Sequence, residues 1–164
     1  MKLNKKGITS VELLVSFIIV SVIVISMYNF IMNYQNKAQI QNINSEVITY
    51  SNNIQKIIQA DLIKRHLINV EVKTQNEATF TFDNNYQTTL IIDSNMGSIK
   101  YGKKDSKLVN YKIPKIDDLK LSANSSITYD ETTNYLIIKI IFTHPNFEDG
   151  TYYFTITCPV NFKY

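Results

Sequence analysis

Cysteine, proline, glycine and arginine are all scarce in this chain, and each scarcity removes an option. With Cys158 as the only cysteine, an intrachain disulfide, a CxxC redox motif and a cysteine-built metal site are excluded. The residue reads as a small buried side chain in a strand. Three prolines and four glycines leave the stretch from Ile8 to Met96 without either breaker, so a long helix there meets no intrinsic stop. The same shortage leaves no Walker A, no glycine-rich nucleotide loop and no GxSxG. His66 and His144 lack HxxxH or HExxH spacing, and isolated Ser, His and Asp residues do not make a triad. The expectation is a chain that is not an enzyme and holds neither cofactor nor metal.

An excess of one charge is missing too. The 17 basic and 14 acidic residues give +3, but Lys2, Lys5 and Lys6 precede Gly7, so a chain beginning at Ile8 would carry 14 of each. No global basic surplus points to nucleic acid. Arg65 is the only arginine, and the 164 residues allow one modest domain beyond an N-terminal anchor.

What is present is a long apolar run. From Leu13 to Met32 no residue is charged. At 1.5 Å per residue a helix of this length spans about 30 Å, the thickness of a bilayer core. Lysines ahead of the run, with no matching cluster just after it, predict a cytoplasmic N-terminus and an external C-terminal domain. A secretory signal would have a shorter apolar core, a small-x-small cleavage site and no acid between lysines and core. A plain anchor explains the length but leaves Gly7 and Glu12 without a purpose. A carboxylate in such a segment is costly and normally has a partner. If the chain were cut after Gly7, the new Ile8 amine and the Glu12 carboxylate would lie one helical turn apart on the same face. The acid would also sit in the first turn, where the helix dipole favours negative charge. In a low dielectric, an amine of one subunit and a carboxylate of its neighbour attract strongly.

Lys5-Lys6-Gly7 followed by Ile8-Thr9-Ser10-Val11-Glu12-Leu13-Leu14 resembles the class III leader and N-terminal helix of type IV pilins and type II secretion pseudopilins. The resemblance implies a prepilin peptidase that cuts between Gly7 and Ile8 and N-methylates Ile8. It also implies that Glu12 guides docking into a filament. Ile8 stands where Phe or Met is more usual, and the proline that kinks many major pilins late in the run is absent. The motif covers only the first thirty or so residues.

Beyond the run, polar residues Asn33 to Asn36 are candidates to bend or loosen the helix. Ile40, Ile43, Val47, Tyr50, Ile54 and Ile57 then recur three and four apart, with Ile58 and Leu62 beside them, and predict helix to about His66 with one face under a sheet. After Asn69 the pattern turns to alternation, with candidate strands at Ala78–Phe82, Thr88–Ile92, Ser98–Tyr101, Ser126–Tyr129, Tyr135–Thr143 and Thr151–Cys158. The fifth is apolar on nearly both faces and is the expected central strand. In the sixth, Tyr152, Phe154, Ile156 and Cys158 oppose Thr151, Tyr153, Thr155 and Thr157, the pattern of a half-buried antiparallel strand, with a hairpin through Asn146 to Gly150.

Lys100, Lys103, Lys104, Lys107, Lys112 and Lys115 cluster around Tyr101 and Tyr111 with Asp105 the only acid among them. They are candidates for contact with DNA phosphates, or equally a solvated loop or a charged sheet edge. Asp117-Asp118 and Asp130-Glu131 lack the spaced ligands and turn glycine of a calcium loop, so turn and cap roles are expected.

The combined expectation is an α+β fold, a long N-terminal α-helix with a membrane-spanning first half, packed against an antiparallel β-sheet as in pilins. Its segments are leader 1–7, transmembrane and assembly helix 8–32, amphipathic continuation 33–69 and extracellular sheet domain 70–164. The expected role is a minor pilin or pseudopilin of a competence, DNA-uptake or secretion filament, with a loose likeness to J-type and competence-pilus minor subunits. The expected partners are other pilin subunits, prepilin peptidase, membrane lipid before assembly, and DNA for the lysine stretch. The expected location is the cytoplasmic membrane, then an external filament. The alternative is a single-pass anchored extracellular binding module that is neither cut nor assembled.

Overall fold

Helix α1 occupies Ser10–Lys64, uninterrupted through the polar residues 33 to 36, in a computed structural model that describes residues 9–161. Its length follows from the missing breakers. Ser16 and Ser21 turn their hydroxyls inward and donate to the carbonyls of Glu12 and Phe17, both at 2.8 Å, so neither leaves a bare polar group on the apolar run. The helix ends two residues before the expected His66, which itself takes the left-handed conformation at φ 50. Strand β1 (Leu67–Thr74) starts at once, so residues 67–69 are strand where helix was expected.

The chain divides into two units between Gln41 and Asn42. The first holds the apolar part of α1. The second holds the rest of α1 and, among the described residues, nine antiparallel strands in two sheets. One sheet is a meander of β1, β2 (Glu77–Phe82), β3 (Gln87–Asp93), β4 (Ser98–Lys103) and β5 (Val109–Lys112) in chain order. In the other, β8 (Tyr135–Thr143) pairs with β6 (Lys120–Leu121) and β7 (Ser126–Asp130), and with β9 (Thr151–Pro159). The Ile127 N–H donates to the Gln75 carbonyl at 2.8 Å and so ties β7 to the end of β1.

The buried row on α1 is Val47, Ser51, Ile54, Ile58 and Leu62. Ile57, expected in the stripe, is 38% exposed. At about 100° per residue it lies a quarter turn from Ile58, and a spacing that alternates three and four drifts off a straight helix's face. Facing this row are Ala78, Phe80, Phe82, Leu90, Ile92 and Ile99 from the first sheet. The second sheet adds Leu136, Ile138, Ile140, Phe142, Phe154 and Ile156 to the same core. Two tyrosines pin the helix to the first sheet through polar bonds. The Tyr50 hydroxyl donates to the Tyr111 carbonyl at 2.7 Å, and the Tyr101 hydroxyl donates to Asp61 Oδ2 at 3.1 Å.

The expected central place of β8 holds, since it is paired along both edges. Its second face is not core, however. Ile137 is 38% exposed and Ile141 half-buried on either side of exposed Lys139. Helix α1 covers only one face of the sheet, so the apolar residues on the other have no layer to meet. In β9 the expected alternation is present, with Phe154, Ile156 and Cys158 buried and Thr151, Tyr153, Thr155 and Thr157 exposed. A long N-terminal helix packed on antiparallel sheets is the α+β, pilin-like architecture expected.

Candidate assembly segment and the basic hairpin

The first unit is helix with almost nothing against it. Its large apolar side chains between Val11 and Met32, among them Leu13, Phe17, Ile23, Tyr28 and Phe30, are 40 to 72% exposed. An 18-residue window of α1 has a mean hydropathy of 2.5 and none of it is buried. The helix is therefore long and apolar enough to cross a membrane, and its apolar window, unlike the later Val47–Leu62 row, is uncovered among the described residues. Apolar surface of this extent needs lipid or other helices to cover it.

At the head of the segment Thr9 and Glu12 form a reciprocal cap. Glu12 Oε2 accepts from the Thr9 N–H at 2.8 Å and from the Thr9 hydroxyl at 3.0 Å, while Thr9 Oγ1 accepts from the Glu12 N–H at 3.3 Å. This capping box satisfies two N-terminal N–H groups that helical bonding leaves without a partner. Thr9 thus has a role that the reading for leader and acid passed over. The signal was in the sequence, since a threonine three residues ahead of a glutamate at the start of an apolar run is the capping-box pattern. The expected cleavage pair, Gly7 and Ile8, lies outside the described residues.

The six lysines do not share one face. Lys100 and Lys112 lie on the face of the first sheet away from the core, as their pairing with Asn110 and Ser98 requires. Lys103 has the opposite parity, opposite Thr88. Lys104 and Lys107 lie in the β4–β5 connection and Lys115 in the loop after β5. Lys100 Nζ is 2.9 Å from Asp93 Oδ2, and this bond, with the Met96 N–H, lowers the Asp93 carboxyl below its ordinary range. Lys103 Nζ stands 6.0 Å from the centre of the Tyr86 ring, which Arg65 also covers at 4.3 Å. Among the described residues, Lys103, Lys104, Lys107, Lys112 and Lys115 have no carboxylate within ion-pair distance.

The acidic pairs serve turns. The Asp130 carboxylate accepts from the Thr132 N–H and from the Thr132 and Thr133 hydroxyls, which holds its pKa down at about 2. The Asp117 carbonyl lies 3.0 Å from His144 Nε2, and His144 Nδ1 accepts from the Asn146 N–H at 3.0 Å. Those two bonds assign the neutral imidazole with its proton on Nε2. Buried His144 therefore ties the loop before β6 to the β8–β9 hairpin. Among the described residues no three His, Cys, Asp or Glu side chains gather as metal ligands would. Burial raises the Cys158 thiol above its ordinary pKa.

Comparison with models of protein families, with curated proteins and with solved structures finds no match.

Proposed function

We propose that this chain is a minor pilin or pseudopilin, a structural subunit of a type IV pilus-like filament or of its initiation complex, and not an enzyme. The observation that carries the proposal is an uncharged helical segment exposed on all sides, capped at its head by Glu12 and Thr9, in a chain whose later helix carries an antiparallel sheet domain. The chain enters the cytoplasmic membrane with its N-terminus inside. Prepilin peptidase then cuts after Gly7 and methylates Ile8, and the helix leaves lipid for the helices of neighbouring subunits. Mass spectrometry of the N-terminal peptide from native membranes tests this directly. A chain starting at Ile8 supports processing, and one retaining Met1 or Lys2 overturns it.

The capping box favours a second reading, because an uncut single-pass anchor would need the same cap. Two substitutions separate the readings. Glutamine at this position preserves the cap while removing the charge, whereas alanine removes both. If Glu12 pairs with an amine of another subunit, Glu12→Gln blocks assembly as fully as Glu12→Ala does. If Glu12 only caps the helix, Glu12→Gln behaves as the parent chain.

Contact of the lysines with DNA is a separate proposal, favoured by the five that lack an acidic partner among the described residues. Replacing them should weaken binding and flatten its salt dependence. Unchanged affinity sinks the idea.

A further inference from the structure

The strand edges of the second unit are not treated alike. At one end of the first sheet β5 is only Val109–Lys112, with Lys107 before it and Pro114 and Lys115 after it. At the other end β1 carries register shifts between Leu67 and Asn69 and between Val72 and Thr74, exposes Glu71 and Lys73, and is bonded at Gln75 by β7. Short length, bulges, lysine, proline and cover are the devices that stop an edge from recruiting another strand.

Strand β9 has none of them before its last residue. It runs nine residues from Thr151 to Pro159, contains no charged residue, and pairs with β8 along its length without a register shift. Its single proline is its last residue. The phase of the ladder is fixed at both ends: the His144 N–H donates to the Gly150 carbonyl and the Val160 N–H to the Asn134 carbonyl. Antiparallel alternation between these bonds turns the N–H and C=O of Thr151, Tyr153, Thr155 and Thr157 away from β8. Those groups have no partner among the described residues. They repeat at strand spacing, so the group that satisfies them all together is another extended backbone.

A second copy of β9 fits this edge poorly. An antiparallel pair of identical strands is related by a two-fold axis normal to the sheet. That operation reverses every direction lying along the sheet, including that of the helix residues 42–64 packed on it. Two chains so joined hold these helix residues in opposite senses, against the single sense of a polar filament.

We infer that the β9 edge is a docking site for an extended strand of a different chain, uncharged, with apolar residues on the core side and small polar residues on the open side. The core-side residues would extend the cover over Phe154 and half-buried Tyr152, and the open-side residues would continue the row of Thr151, Tyr153, Thr155 and Thr157. That the donor is a neighbouring filament subunit rests on the function proposed above, whereas the open edge does not.

The test compares amide hydrogen exchange over Tyr153–Thr157 in the full chain in its native membrane or sheared filament fraction with the same chain purified in detergent. The outward amides should exchange at least about tenfold more slowly in the native fractions. Equal rates overturn the inference. So does protection that grows with concentration in detergent, because it would mean that β9 pairs with itself. Thr155→Pro removes one outward N–H and spares the bonds to β8, as an edge position permits. With an unchanged melting temperature it should lose the native protection, and retained protection overturns the inference. Thr157→Lys puts a charge beside the edge and serves if the proline variant melts early. If the parent chain enters no filament but its membrane fraction is protected, the filament proposal fails and the edge inference stands.

Discussion

The two units share one helix and differ in almost everything else. Residues 10–41 and 42–64 are alike in lacking glycine and proline, yet Phe17 in the first is 72% exposed while Ile58 in the second is 1% exposed. Local propensity makes both parts helical, and what surrounds each part decides its chemistry. In the second, polar residues flank one buried row, and that row fixes the helix on the sheets. The first is apolar on every face from Leu13 to Met32, so that stretch selects an environment rather than an orientation.

Truncating a large side chain in each unit tests that contrast most severely. Phe142→Ala removes a ring that is fully buried, edge-on to Tyr50 and stacked with Phe154, and should cost about 3–5 kcal/mol in thermal or denaturant unfolding of the sheet domain. Phe17→Ala should leave that unfolding unchanged and weaken membrane partitioning. Domain unfolding that responded to Phe17 would break the distinction.

A pH titration probes the pins of the second unit. Burial raises the Tyr50 and Tyr101 hydroxyls above their ordinary range, and neighbouring Asp61 adds to the effect at Tyr101. Since the folded values lie above the unfolded ones, the neutral phenols favour the fold. This contribution is complete below the unfolded value of about 10 and is lost as pH rises through the folded values. The melting temperature should therefore fall on the alkaline side of pH 10 or so, and Tyr50→Phe with Tyr101→Phe should blunt the fall.

The smallest effect concerns serine. Ser16 and Ser21 in the first unit have carbonyl partners, while Ser51 in the second is buried with no partner for its hydroxyl among the described residues. Ser51→Ala should be neutral or should stabilise the domain by about 1 kcal/mol, as chemical denaturation would show. A clear loss would mean that the hydroxyl has an acceptor in solution.

Periodicity made α1, β8 and β9 legible, because each keeps one spacing for long enough to be unambiguous. Strand β1 was missed because its first three residues, Leu67 to Asn69, fell in the segment expected to continue the helix, which left only Val70 and Val72 as apolar positions to mark a strand. In β5 the four strand residues are embedded among lysines that suggest a loop, and β6 has two residues, too few for a pattern. The split into two sheets and the open edge of β9 depend on pairings between distant segments, and no local spacing encodes those. At the candidate site the carboxylate was found and its cap was not. Glu12 was weighed for a partner in another subunit, while Thr9 stood within its own turn.

Tyr50, Tyr101 and the row from Val47 to Leu62 also have a mechanical consequence. The row and both hydroxyl bonds lie between the Asn42–Lys64 part of α1 and the sheets, spread along the length of the contact. Tension drawn along the axis of this part of the helix would load them in shear and in parallel, across an interior that is close-packed and stiff. Tension drawn across the axis would peel them apart from one end. The domain is thus built to bear traction along its helix and to yield to traction from the side.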